Sequence, residues 1–154
     1  MGYQHILVAT DLNDECHSVV ERAHELSVMC GATLQLIHVI EPMAMAFGGD
    51  VPVDLSVLQQ QQIDQAKESL ASFAKPYTNL TLEQRIIAYG QPRQEIHRVA
   101  QEYNIDLIVV GSRSRHGLAI LLGSTTKDIL HGAPCDVLAV NLDKPTHEDT
   151  DTTQ

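Results

Sequence analysis

Between Asp106 and Ser124 the chain reads DLIVVGSRSRHGLAILLGS. An apolar strand-like run, Leu107–Val110, stops at Gly111; a loop carrying Arg113 and Arg115 comes next, and Gly123-Ser124-Thr125-Thr126 opens a helix. Residues of these types in this order form an anion cradle. Glycine lets the backbone come close to a ligand, and the free N–H groups of a helix start point toward negative charge. With two arginines beside it, the cradle suits a phosphate-bearing small molecule. The same spacing excludes two familiar alternatives. A P-loop requires a lysine after its second glycine, whereas Ser124 directly succeeds Gly123. The dinucleotide fingerprint GxGxxG belongs after the first strand, where Thr10-Asp11-Leu12-Asn13 stands instead.

Other residues with chemical potential are weaker signals. His17, Glu21 and His24 share one helical face at i, i+4 and i+7, a spacing able to chelate a transition metal. That face lies opposite the Val19/Ala23/Leu26 stripe, so a solvated polar face is the expected reading and no metal site is assigned. His38, at the end of the second strand, borders the crevice that the sheet topology implies, as a core-edge residue or as a ligand contact. Met43, Met45 and Phe47 suit closure over an aromatic base or packing in a dimer. No Ser-His-Asp elbow, HExxH motif or two-metal carboxylate cluster is evident, and no catalytic residue is assigned. The three cysteines have no CxxC spacing and read as structural thiols; Cys16 and Cys30 lie too far apart on one helix to be bridged.

The elements that must position the cradle alternate regularly. His5–Thr10 is a short apolar run, as a strand buried on both faces requires. Asn13–Cys30 carries Cys16, Val19, Ala23, Leu26 and Cys30 on one helical stripe, with Asn13 as N-cap and Gly31 as stop. Thr33–Val39 is a second strand. Glu41–Asp54, rich in Gly and Pro yet apolar, is a long loop and a candidate lid. Leu55–Lys75 returns to helical spacing through Ile63, Ala66, Leu70 and Phe73. Thr81–Ala88 reads as an edge strand, and Gly90-Gln91-Pro92 starts a helix with Ile96, Val99, Ala100 and Tyr103 on one face. Asp106–Val110, the cradle helix Ser124–His131 ending at Gly132, and the strand Asp136–Leu142 complete the pattern. The tail Asp143–Gln154 has no aliphatic or aromatic residue and is expected to be disordered and acidic.

Five strands separated by four helical segments imply an α/β fold: a single-domain, open, five-stranded parallel sheet with helices on both faces. Right-handed crossovers and an apolar first strand favour the order 3-2-1-4-5. The switch point then falls between strands 1 and 4, whose carboxyl ends carry Asp11 and Gly111. Anion chemistry and sheet topology thus reach the same crevice.

At 154 residues the chain is expected to form one domain over residues 1–142, with the tail 143–154 beyond it. Twenty acidic against ten basic residues give a net charge of −10. That balance argues against sequence-independent nucleic-acid binding and against an anionic membrane surface. No apolar run approaches the roughly 20 residues of a membrane span, and no basic leader precedes Ile6–Val8. A cytoplasmic location is the expectation.

Three stretches, HILVATDLNDE, LIHVIEP and VVGSRSRHGLAILLGSTTKDILHGAPCDVLAV, together resemble the universal stress protein family. The resemblance covers about residues 3–142 and implies a small α/β domain related to adenine-nucleotide-hydrolase-like folds. For nucleotide-binding members it implies an ATP site built from GxxG, nine residues, then Gly-Ser or Gly-Thr. Gly111, Gly123 and Ser124 match that pattern, and Asp11 falls at the strand-1 aspartate placed near ribose or base. Val39 falls at the position of a base-contacting apolar residue. The implied nucleotide-binding set is Ala9, Thr10, Asp11, Val39, Gly111, Arg113, Ser114, Gly117, Gly123, Ser124 and Thr125. One departure stands out. Ser114 occupies the place of the second glycine, and eight residues separate it from Gly123. If that position needs a positive φ, serine there costs about 1 kcal/mol or more. Gly117 can supply the flexibility instead.

These residues support two readings. In one, the protein is a dimeric stress-response module that binds ATP, AMP or ADP, with Mg²⁺ able to accompany the nucleotide and hydrolysis slow at most. In the other, it is a nucleotide-free dimer acting through protein contacts. Both involve a homodimer, because the final strand, Val137–Leu142, is an edge whose backbone groups a second copy would pair. The resemblance implies the same edge.

Overall fold

Strand β1, His5–Ala9, carries Ile6, Leu7 and Val8, all fully buried, although successive side chains point to opposite faces of a sheet. Such a strand is stable only in the middle of a sheet covered on both sides. The computed structural model places it there. Its described residues are 2–42, 55–77, 82–112 and 127–142.

Within them the order is β1, α1 (Cys16–Cys30), β2 (Thr33–Ile40), α2 (Leu55–Phe73), a 3₁₀ turn (Lys75–Tyr77), β3 (Leu82–Tyr89), α3 (Pro92–Glu102), β4 (Leu107–Ser112) and β5 (Asp136–Asn141). The strands form one sheet in the order β3-β2-β1-β4-β5, with neighbouring strands parallel throughout. This is the topology expected from the sequence. Alternation along the strands divides the core into two layers. Ile6, Val8, Leu34, Leu36, Leu107 and Val109 pack against α1 and α2. Leu7, Ile37, Ile108 and Val110 pack against α3 and Ile129. Each fully buried Leu, Ile or Val contributes about 1.5–3 kcal/mol of transfer free energy.

The helix boundaries arise from local chemistry. Regular α1 begins at Cys16, later than the expected Asn13, because the first turn is closed by i→i+3 bonds from Cys16, His17 and Ser18. Asn13 still caps it: its Oδ1 accepts the Cys16 amide at 3.2 Å. At the other end Gly31 is left-handed (φ 66°), and Ala32 donates back to the Ser27 carbonyl at 2.8 Å, a Schellman closure. α3 has Pro92 in its first turn and buries Ile96, Val99 and Ala100, as its spacing predicts. α2 stops at Phe73, short of the expected Lys75, and the chain tightens into the 3₁₀ turn that buries Tyr77. Of the expected helix at residues 124–131, the described part, 127–130, is helical and ends in the left-handed Gly132 (φ 73°).

At the amino ends of the strands, polar side chains tie the sheet together. Asp106 accepts the amides of Gln4 (2.8 Å) and His5 (3.0 Å). Tyr3 donates to Asp136 at 2.8 Å, and His5 Nδ1 is 2.9 Å from Thr33 Oγ1. The opposite, carboxyl end has a different character.

Candidate functional site

The switch point of this sheet lies between β1, whose connection to β2 runs through α1 on one face, and β4, which comes after α3 on the other. In open parallel sheets the helices diverge at such a point, and ligands bind beyond the carboxyl ends of the two strands. Ala9 ends β1, Thr10 and Asp11 succeed it, Val39 is the penultimate residue of β2, and Gly111 lies in β4. The ladders end at Ala9↔Ile37 and Val8↔Val109; Thr10 and Asp11 come directly after the first of these, and Val39 and Gly111 lie two residues beyond Ile37 and Val109 in their own strands. These five expected site residues therefore share one end of the sheet. Arg113, Ser114, Gly117, Gly123, Ser124 and Thr125 lie outside the described residues, as do Arg115, the 43–54 part of the loop, and the tail.

The turn after β1 is tightly specified. Thr10 is only 5% exposed, and all three of its polar groups are engaged. Its amide donates to the Ile37 carbonyl at 3.0 Å, its carbonyl accepts His38 Nδ1–H at 2.8 Å, and its Oγ1 accepts the Leu12 amide at 3.0 Å. Because a carbonyl oxygen can only accept, the bond to His38 fixes the proton on Nδ1 and leaves Nε2 the acceptor in the neutral ring. Leu12 is held at φ 66°. A left-handed backbone at a residue with a Cβ costs about 1–2 kcal/mol, and the Thr10 hydroxyl and the contact of Leu12 with the core offset it. Asp11 sits between these two anchors with its side chain exposed. An exposed carboxylate beside a half-buried apolar Val39 can accept hydrogen bonds from ligand hydroxyl or amino groups while the valine packs against an apolar ring.

Gly111 is constrained from within the fold. A Cβ built on it would meet Leu142 Cδ1 at 3.0 Å, Leu142 Cγ at 3.4 Å and Val19 Cγ2 at 3.3 Å. The packing of α1 and the end of the last strand onto β4 thus leaves little room for a side chain there.

His17 corrects the sequence reading of a solvated helix face. Its ring stacks on Phe73 (centroids 4.2 Å apart, planes 12° apart), and its Nδ1 shares a hydrogen bond with the Tyr77 hydroxyl. The periodicity of α1 alone could not foresee this, because the wall against which His17 packs is supplied by α2 and the 3₁₀ turn. Glu21 is exposed, His24 is half-buried, and among the described residues no three His, Cys, Asp or Glu side chains converge on a metal position. Burial pushes the Tyr77 phenol up to about 12, with the charges of Glu21 and Cys16 acting in the same direction. Cys16 is buried, Cys30 and Cys135 half-buried, all three free, and burial also raises the Cys135 thiol.

What sequence reasoning missed is the Thr10–His38 clasp. The available signal was a histidine inside the otherwise apolar end of TLQLIHVI.

Known proteins share this fold. The model of the universal stress protein family matches residues 2–141. Universal stress protein A homolog 1 of Coxiella burnetii is 39% identical over 141 residues, spanning 91% of this chain and 97% of its own. Two solved structures share the fold with TM-scores of 0.62. The universal stress protein of Archaeoglobus fulgidus in complex with dAMP is 25% identical, with 90% of this chain and 98% of that one covered. A universal stress protein in complex with cAMP is 24% identical, with 92% and 99% covered. No helix among the described residues is long and apolar enough to cross a membrane.

Proposed function

The chain belongs to the universal stress protein family, and within it we propose an adenine-nucleotide-binding, homodimeric, cytoplasmic stress-response module. The observation that carries the proposal is the gathering of Asp11, exposed, and Val39, half-buried, at the switch point, beside the strand that leads into the glycine-rich cradle sequence. Val39 offers an apolar surface to the adenine ring, and Asp11 accepts from ribose hydroxyls or the base. Arg113, Ser114, Gly117, Gly123, Ser124 and Thr125 supply the sequence of the phosphate cradle, with amide donors and two neighbouring arginines. The dAMP and cAMP complexes of the two structural relatives support this choice of ligand class.

ATP is the proposed ligand, with AMP or ADP as alternatives, and Mg²⁺ accompanies it through phosphate oxygens and water rather than through a carboxylate cage. Asp11 serves recognition rather than activation of water, so hydrolysis is slow at most. β5 lies at the sheet edge with no described strand on its outer side, which supports self-association through Val137–Leu142.

A second reading, a nucleotide-free dimer working through protein contacts, is favoured by one observation: packing against Val19 and Leu142 accounts for Gly111 without any ligand. Native mass spectrometry of freshly purified protein, then calorimetric titration of ATP with and without Mg²⁺, separates the two. One nucleotide per chain, lost in Gly123→Val, is the outcome expected for the first. No bound nucleotide and no heat at millimolar ATP would establish the second. Sedimentation at micromolar concentration tests the dimer, and a monomer there would refute it.

A further inference from the structure

We infer that His38 is a positioning residue of the crevice: by clamping the Thr10 carbonyl it holds the Thr10–Asp11–Leu12 turn so that the Asp11 carboxylate is presented to the ligand. This rests on the nucleotide reading for its ligand but on the hydrogen bonds of the free protein for its mechanism. β1 ends at Ala9, and past that point no regular strand pairing constrains the chain. The turn beyond it is nevertheless fixed. The bond from His38 Nδ1–H to the Thr10 carbonyl crosses from β2 to β1 beyond the last ladder pair, Ala9↔Ile37. It stands beside the backbone bond from the Thr10 amide to the Ile37 carbonyl, so two adjacent residues of β2 grip Thr10 through both its amide and its carbonyl.

The consequences run along the chain. With the Thr10 backbone immobilised, its Oγ1 is placed to accept the Leu12 amide, the contact that accompanies the left-handed backbone of Leu12. Of the two described non-glycine residues with positive φ, Asn104 is of a type that tolerates it, whereas Leu12 is a branched apolar residue held there by its surroundings. Such held conformations gather at ligand sites. The residue between the immobilised Thr10 and the constrained Leu12 is Asp11, which is exposed and so has no burial of its own to orient it. His38 is itself half-buried and sits one residue before Val39, so the same short segment supplies both the apolar contact for a base and the clamp for the carboxylate. Pre-forming the turn removes an ordering cost from ligand binding.

The test uses the full chain, three single variants and the double variant His38→Leu/Thr10→Val, with AMP as the probe. His38→Leu removes the donor and retains apolar bulk. His38→Asn returns an N–H donor near the place of Nδ1. Thr10→Val keeps the shape of Thr10 but deletes the Oγ1 acceptor, and it serves if His38→Leu fails to fold. Calorimetry is expected to give an AMP affinity about five- to tenfold weaker in His38→Leu, recovered in large part by His38→Asn. Hydrogen exchange of the Leu12 amide, measured without ligand, is expected to accelerate in His38→Leu and Thr10→Val and to slow again in His38→Asn. In the double variant the losses should fall short of additive, because both act through one turn. Unchanged Leu12 exchange in His38→Leu would overturn the inference whether or not nucleotide binds. Equal loss of affinity in His38→Leu and His38→Asn would also overturn it, assigning His38 to packing. A parent protein that takes up no AMP or ATP refutes the nucleotide reading instead, and the exchange measurement then decides the clamp by itself.

Discussion

Replacing Gly111 by alanine separates the two reasons for which glycine can stand in β4. The added Cβ would come within 3.0 Å of Leu142 Cδ1 and 3.3 Å of Val19 Cγ2. The leucine methyl is the far end of a flexible side chain and can rotate away. Val19 cannot: it is fully buried in α1, and a β-branched side chain in a helix has one strongly preferred rotamer. Overpacking of this kind costs about 1–3 kcal/mol. Alanine recovers about 0.5–1 kcal/mol of the entropy that a strand glycine forfeits. A net loss of about 1 kcal/mol remains, or roughly 2–4 °C in Tm for a domain of this size. Urea denaturation and an AMP titration on the same samples form the assay. The midpoint should fall while nucleotide affinity changes less than about threefold. In a Val19→Ala background the same Gly111→Ala change should cost less, since the rigid contact is gone. An unchanged midpoint together with abolished nucleotide uptake would refute the reasoning, because Gly111 would then be small for the sake of the ligand.

Three further outcomes are expected. Gly31→Ala should cost about 1 kcal/mol from its left-handed backbone alone, since a Cβ there meets nothing within 4 Å; Gly31→Asn should cost less, and equal losses on thermal melting would contradict this. Gln35 is 5% exposed and its Oε1 has no hydrogen-bond partner among the described residues, so Gln35→Met should be neutral or stabilising by about 1 kcal/mol, and a loss above that would reveal a partner. Tyr77, with its phenol pushed up to about 12, contributes stability that is whole below pH 10 and is lost as the pH climbs toward 12, because the unfolded chain ionises first. Tyrosinate absorbance should therefore contain a late component that Tyr77→Phe removes, and a titration identical in that variant would refute the assignment.

Most of the fold was legible because a doubly covered parallel sheet writes its central strands as apolar runs. Ile6–Val8 and Leu107–Val110 are buried on both faces and allow no alternation. Caps were equally legible where one residue type sets the geometry, as with Asn13, Gly31 and Pro92. Three features were not, each for the same physical reason: the partner is distant in sequence. His17 looked solvent-facing because its neighbours on α1 are polar, yet Phe73 and Tyr77 cover it. The crowding at Gly111 was not legible, because the groups a Cβ there would meet come from α1 and from the end of the last strand. Thr10 and His38 each look ordinary, and only the β1–β2 register brings them together.

The two ends of the sheet differ in a way that supports the proposed site independently of any motif. At the amino ends the side-chain bonds are reciprocal and structural: Asp106 with two amides, Tyr3 with Asp136, His5 with Thr33. The constrained turn at Asn104 (φ 54°) leads into Asp106, whose carboxylate is taken up by the Gln4 and His5 amides. At the carboxyl ends of β1 and β2, local preferences are broken together. A leucine adopts a left-handed backbone, a histidine replaces an apolar residue to clamp a carbonyl, and an aspartate is held out between two anchors. Departures of this kind gather at functional sites, which supports the proposed one. Stability alone would favour glycine at Leu12 and an apolar residue at His38. Their coincidence at one end of the sheet supports the proposal that a ligand binds there, independently of the cradle sequence.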